Sequence, residues 1–220
     1  MININDLFLF IYDISPFYDE NLFNKQYELV KEYRRHKIDN LSLKEDKIRS
    51  LSAEYVLIKA LEYVGLDYFK ESIEVDKNGK LFLKSNKVQF NISHSGSKVI
   101  CGISSHSIGV DIQLKKEVNF DIAKRFFTFS ENELIMKNNS KDMFYKIWTL
   151  KESYIKCVGK GLLIRLDSFE ISFKNEKPII NQTNSEFEFK LFTHEIEGYQ
   201  IALCVEQSNI DDNNLKVITL

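Results

Sequence analysis

Lys141-Asp-Met-Phe-Tyr-Lys-Ile-Trp-Thr-Leu-Lys-Glu-Ser-Tyr-Ile-Lys-Cys-Val158, followed by Gly159, is the longest helical stretch of the second half, and the fold is read outward from it. Gly159 supplies the left-handed conformation that commonly ends a helix. Trp148, Glu152, Ile155, Lys156 and Gly159 fall along one side, with Phe144, Ile147, Lys151 and Tyr154 close by. Trp148 and Ile155 mark that side as the buried one. Buried charges require a partner such as a metal or a phosphate. The plain alternative is an intrahelical ion pair. Glu152 precedes Lys156 by four residues, the favourable order, and such a pair contributes only about 0.3–0.5 kcal/mol without any function.

The strand read just upstream is Ile108-Gly-Val-Asp-Ile-Gln113. Asp111 and Gln113 are two apart, so both side chains point to one face of a strand. A carboxylate plus an amide oxygen suits a hard divalent cation, which takes oxygen donors and keeps waters and substrate phosphates. Gly109 lets another backbone or a ligand phosphate come close. A sheet edge with polar residues facing water is the competing reading.

Further out, Leu7–Ile14 reads as a first strand ended by Ser15-Pro16. Helical spacing runs over 18–37 and again from Lys44 to Val64, stopping at Gly65. In the second of these, Ile48, Leu51, Tyr55, Ile58 and Leu61 form a core-facing stripe. Strands are expected at 73–75, 81–83 and 88–92, with Asn78-Gly79 as a hairpin turn, then at 99–104 and 108–113. Helices follow at 120–127 and from Ser130, where Ser130-Glu-Asn-Glu133 fits a capping box. Strands at 168–173, 187–193 and 199–205 close the pattern. Asn-rich stretches at 137–140, 181–185 and 209–214 read as loops or a tail. Each half runs strand, helices, antiparallel strands, a weak repeat without a linker. The expected fold class is therefore α+β, as two tightly joined lobes, 1–105 and 106–220, with a ligand cleft between them.

Bulk properties exclude several classes. The 220 residues, 44% hydrophobic and 28% charged, can bury a proper core. Thirty basic and 32 acidic residues give a net charge of −2, which argues against bulk nucleic-acid binding. Three scattered cysteines form no CxxC pair, so a disulfide framework and a zinc site are both disfavoured and a reducing cytoplasm is expected. The opening MININDLFLFIYDIS lacks a cationic n-region and reads as a strand rather than a signal peptide. No apolar run approaches the ~18–20 residues that span a bilayer.

Phe90-Asn-Ile-Ser93-His94-Ser95-Gly96 ends a strand in a small polar loop that can present a hydroxyl, an imidazole and backbone N–H groups to a phosphate. A Ser93–His94 nucleophilic pair is the competing idea, but adjacent strand residues face apart and no third residue orients the imidazole. Arg49 and Lys80 are further candidates for phosphate contact, or plain solvated charges. Lys31–Lys37 (KEYRRHK) reads as a solvent-exposed helix face.

In register, Phe90-Asn-Ile-Ser-His-Ser-Gly, Ile108-Gly-Val-Asp-Ile-Gln, Ala123-Lys-Arg-Phe-Phe and Trp148-Thr-Leu-Lys-Glu-Ser-Tyr-Ile-Lys resemble the 4′-phosphopantetheinyl transferases, and specifically the larger, pseudo-dimeric type that activates peptide and polyketide synthetases. Gly159-Lys-Gly-Leu and Leu166-Asp-Ser-Phe continue the likeness. The resemblance implies a monomer of two similar lobes related by pseudo-twofold symmetry, with coenzyme A and Mg²⁺ between them. It implies transfer of the phosphopantetheine arm of coenzyme A to a serine of an acyl- or peptidyl-carrier protein, releasing adenosine 3′,5′-bisphosphate. Asp111 and Glu152 match the metal ligands, and Gln113 stands at a third ligand position, where its oxygen or a water in its place would complete the set. Arg49, Lys80, Ser93 and His94 match positions holding the adenosine phosphates. Lys156 matches the lysine near the pyrophosphate, and Glu131 an acidic residue near the site. Glu152 and Lys156 are the expected catalytic pair. Gln113 departs from the glutamate many members carry, which implies weaker Mg²⁺ binding with activity retained. The stretch 37–43 is longer than the family's, so no phosphate-binding role is carried to Lys25 or Lys31. The segment 121–129 is a candidate carrier-docking surface. A coenzyme A-binding module without turnover and a metal-dependent phosphohydrolase are the alternatives.

Overall fold

The computed structural model describes residues 6–138, 140–182, 187–207 and 209–220. The first half contains β1 (Leu7–Asp13), α1 (Glu20–Tyr27), α2 (Glu32–Asp39), α3 (Lys44–Tyr63), β2 (Ile73–Val75), β3 (Leu81–Leu83), β4 (Gln89–Ser95) and β5 (Lys98–Ser104). The second contains β6 (Ile108–Leu114), α4 (Asp121–Phe126), α5 (Phe129–Asn138), α6 (Lys141–Val158), β7 (Glu170–Lys174), β8 (Lys177–Asn181), β9 (Lys190–Ile196), β10 (Tyr199–Val205) and β11 (Leu215–Thr219). This is a mixed α+β fold of small sheets packed with helices. Among the described residues no helix is long and apolar enough to cross a membrane.

One sheet runs β11-β1-β5-β4 and another β6-β10-β9, with β2-β3 and β7-β8 as separate hairpins. All pairs are antiparallel except β1 with β11. Strand β1 is buried on both faces, so its apolar run does not alternate. Phe8, Phe10 and Tyr12 join the α3 stripe in one core. Leu7, Leu9 and Ile11 meet Ile108, Val110 and Ile112 of β6 in a second core between the two sheets. A third core seats α6 on β7, β9 and β10.

Several expected elements are corrected. The helix read over 18–37 breaks into a 3₁₀ turn at Ser15–Tyr18 and the two helices α1 and α2. Asp19 restarts the chain by accepting from the amides of Asn21 and Leu22. The run Lys31–Lys37 is not a uniformly solvated face. Arg34 is buried, its Nε 2.7 Å from a Glu54 carboxylate that Tyr33 and Tyr68 also bond. The capping box belongs to Thr128 and Glu131 rather than to Ser130 and Glu133: Thr128 N–H donates to Glu131 Oε2 and Glu131 N–H donates to Thr128 Oγ1. The strand expected from Phe187 begins at Lys190. Strands β8 and β11 are additions to the expected pattern. β8 carries Pro178, which sits where its missing N–H is tolerated on a two-stranded hairpin. Asn139 and residues 183–186, which fall in the Asn-rich stretches, lie outside the described residues.

Candidate active site

Helix α6 starts at Ser140, whose Oγ accepts from Met143 N–H, and ends at Gly159 with φ of 73°. It lies directly on β6. A Cβ on Gly109 would overlap the Ser153 carbonyl oxygen and the Cys157 amide nitrogen, so only glycine permits this approach. The close neighbour at Gly109 is thus another backbone.

That contact brings Lys156 to Asp111. The ammonium lies 2.6 Å from Asp111 Oδ1, and the intrahelical pair with Glu152 is not formed. Ser93 completes the cluster, donating to Asp111 Oδ1 at 2.9 Å and standing 2.9 Å from Lys156 Nζ. Asp111 is 2% exposed. Its other oxygen accepts from Gln113 Nε2 at 3.2 Å. Strand periodicity explains why Ser93 takes part. Asn91, Ser93 and Ser95 share the face of β4 that meets β6, where Asn91 and Ser95 accept from the amides of Val110 and Leu114.

Glu152 has no hydrogen bond or ion pair among the described residues. Burial first, and then the charge of Asp111, push its carboxyl above the usual range, while Lys156 pulls it back. Two carboxylates held together, one lacking a cation of its own, suit a divalent ion. Among the described residues no three His, Cys, Asp or Glu side chains converge to hold a metal. The side chains that could hold one are Asp111, Glu152 and the Gln113 amide, hard oxygen donors of the kind that leave waters and phosphates in the remaining positions. The Gln113 amide must turn to present its oxygen.

Glu152 and Lys156 line a cavity of about 390 Å³ with the 78–81 hairpin, Phe90–Ile92, Gly159, Gly161, Ile164 and Leu166. Two further hollows continue along β4. One, of about 260 Å³, lies among Arg34, Lys37, Arg49, Ile92 and His94. The other, of about 630 Å³, holds Arg49, His94, Gly96 and Lys116. His94 points away from Ser93 into this basic region, as alternation on a strand requires. Partial burial, then the cations Arg49, Lys156 and Lys37, hold its imidazole below the ordinary range although one side meets solvent. Arg49 is held by Asp46 at 2.7 Å and Glu45 at 3.3 Å. Sequence reading missed Lys37 and Lys116, because nothing in their local pattern separates them from other surface lysines.

Two expected residues have other partners. The Lys80 ammonium donates to the carbonyls of Ile108, Lys156 and Cys157 at 3.1, 2.8 and 3.1 Å, so all three protons are engaged. Burial lowers its pKa. Glu131 is 1% exposed and pairs with Lys151 at 2.7 Å. Lys151 also donates to the carbonyls of Leu166 and Phe169, both at 2.7 Å. This buried pair braces α6 against α5 and β7, on a different side of the helix from Glu152.

The sequence profile of the 4′-phosphopantetheinyl transferase superfamily matches residues 107–204. The 4′-phosphopantetheinyl transferase gsp of Aneurinibacillus migulanus is 37% identical over 80% of this chain and 75% of its own length. The 4′-phosphopantetheinyl transferase Sfp of Bacillus subtilis (strain 168) is 34% identical over 82% and 84%. This chain belongs to the 4′-phosphopantetheinyl transferase superfamily.

Proposed function

We propose that this protein transfers the 4′-phosphopantetheine arm of coenzyme A to a serine of an apo acyl- or peptidyl-carrier protein, releasing adenosine 3′,5′-bisphosphate. One observation carries the reading beyond family membership. Asp111, Ser93, Lys156 and Glu152 come from three elements to one cavity edge beside a basic groove. The groove suits a ligand with several phosphates, for which Arg49, His94 and Ser93 offer contacts, joined by Lys37 and Lys116.

In the proposed reaction the serine oxygen bonds to the phosphorus bearing pantetheine, the bridging P–O bond breaks, and the serine proton leaves. Glu152, with its raised pKa, accepts that proton directly or through a water. Lys156, an N–H donor on the cavity wall, stabilises negative charge growing on the departing bisphosphate. Mg²⁺, held by Asp111, Glu152 and a turned Gln113, would supply charge that offsets repulsion between the attacking oxygen and the diphosphate.

The same proposal places lobes at 1–105 and 106–220, with the groove along β4 between them, in a cytoplasmic monomer. Exposed Ile122, Phe126 and Phe129 stand among exposed Lys124 and Arg125, which suits an acidic, partly apolar helix of a carrier protein. The test is mass spectrometry of an apo carrier protein incubated with coenzyme A and Mg²⁺. A phosphopantetheinyl mass increment on the serine is expected. Cleavage of coenzyme A without carrier would replace the proposal with the phosphohydrolase reading, and binding without either product would leave a binding module.

A further inference from the structure

The turn between β2 and β3 reaches from the first half of the chain to the end of α6. Asp76 shapes it, its Oδ1 accepting from the amides of Asn78 and Lys80 at 2.8 and 2.9 Å. Two side chains then project onto the helix terminus. Asn78 Nδ2 donates to the Gly159 carbonyl at 2.8 Å. Lys80 donates to the carbonyls of Lys156, Cys157 and Ile108.

These are groups a helix end leaves without intrahelical partners. Ile155 O is taken by the Gly159 amide, and the next two carbonyls are taken by Lys80. The third Lys80 contact lies on β6, at the residue before Gly109, where the helix and strand backbones touch. The lysine stem also packs on Gly159: a Cβ there would stand 3.2 Å from Lys80 Cδ. One ammonium thus fastens the residue that carries Lys156 to the strand that carries Asp111.

We propose that Lys80 is a positioning residue, which holds Lys156 against Asp111 by clamping the end of α6 to the start of β6. The role rests on the transferase reading. It differs from a phosphate contact, since every Lys80 proton is committed to main chain.

Variants Lys80→Met, Lys156→Ala and their double separate the possibilities. The clamp predicts that Lys80→Met lowers kcat by about 10- to 100-fold, because small displacements of a catalytic group are costly. The dissociation constant for coenzyme A should stay within about twofold of wild type. In the Lys156→Ala background, Lys80→Met should add no further loss. A tenfold-order weakening of coenzyme A binding with kcat retained would instead make Lys80 a phosphate ligand, and multiplying losses would show that it acts elsewhere. Asn78→Ala, which removes only the outer contact, should show a smaller loss of the same kind and serves if Lys80→Met does not fold. Amide exchange over residues 155–159 gives a readout independent of activity. Faster exchange in Lys80→Met supports the clamp even if wild type transfers nothing, an outcome that would remove the transferase reading alone. Unchanged exchange overturns the clamp.

Discussion

Glu152 sets chemistry against stability. Its carboxyl is raised by burial and by Asp111, so folding favours its protonated form. An acid whose pKa is higher folded than unfolded stabilises the fold below the ordinary carboxylate range. That contribution is lost as pH rises through the raised value. At neutral pH the ionised Glu152 therefore destabilises the metal-free protein. We expect Glu152→Gln to raise the Tm at pH 7 without metal and to lose transfer by about 100-fold or more. The stability gap should shrink near about pH 4, where wild type is protonated. It should also narrow at pH 7 when Mg²⁺ is added, because an ion bound only by the native state stabilises it. Paired thermal melts decide this, and a variant no more stable than wild type at pH 7 would refute the charge repulsion. Lys151, the other lysine of the same motif, belongs to a different problem. It is wholly buried with Glu131, and its truncation would leave a buried carboxylate without its cation rather than remove a catalytic group.

At the level of elements, the site depends on how α5 and α6 are capped and seated. Both Thr128-Phe-Ser-Glu131 and Ser130-Glu-Asn-Glu133 satisfy the capping-box pattern. The one used is that whose glutamate also reaches Lys151 and the Ile171 amide at 2.7 Å. Thr128→Ala should therefore cost about 1 kcal/mol, whereas Ser130→Ala, already inside the helix and exposed, should change stability by less than about 0.5 kcal/mol. Urea unfolding of the two variants distinguishes them, and equal effects would return the cap to Ser130. Helix α6 itself was legible in full, since Ser140 and Gly159 carry local end signals and its apolar spacing is regular. Its seat on β6 was legible only as a hint, through a glycine whose neighbour was not specified.

For the whole molecule, the chain end closes a sheet begun at residue 7. Leu215–Thr219 pairs in parallel with Leu7–Ile11, covering the edge of a strand that is otherwise apolar on both faces. Deleting residues 212–220 should lower the Tm and promote self-association, because a long apolar edge is left unpaired. Size-exclusion chromatography with thermal melts checks this, and a monomer of unchanged Tm would show the parallel pair to be peripheral.

The amino-acid sequence by itself determined the elements with strong internal period, notably β1, α3, β4 to β6, α6 and β10. It also singled out Asp111, Glu152, Lys156, Ser93 and His94, through motifs in register along the chain, as the candidates for its chemistry. Periodicity, caps and motif spacing are local properties, readable without knowing what lies across the fold. Tertiary structure alone decided that Lys156 pairs with Asp111 instead of Glu152, and that Lys80 donates to main-chain carbonyls of α6 and β6. It also brought Lys37 and Lys116 to the groove and made strands of 177–181 and 215–219. In each case several partners were chemically acceptable, and the choice followed from which groups packing brought within hydrogen-bond reach.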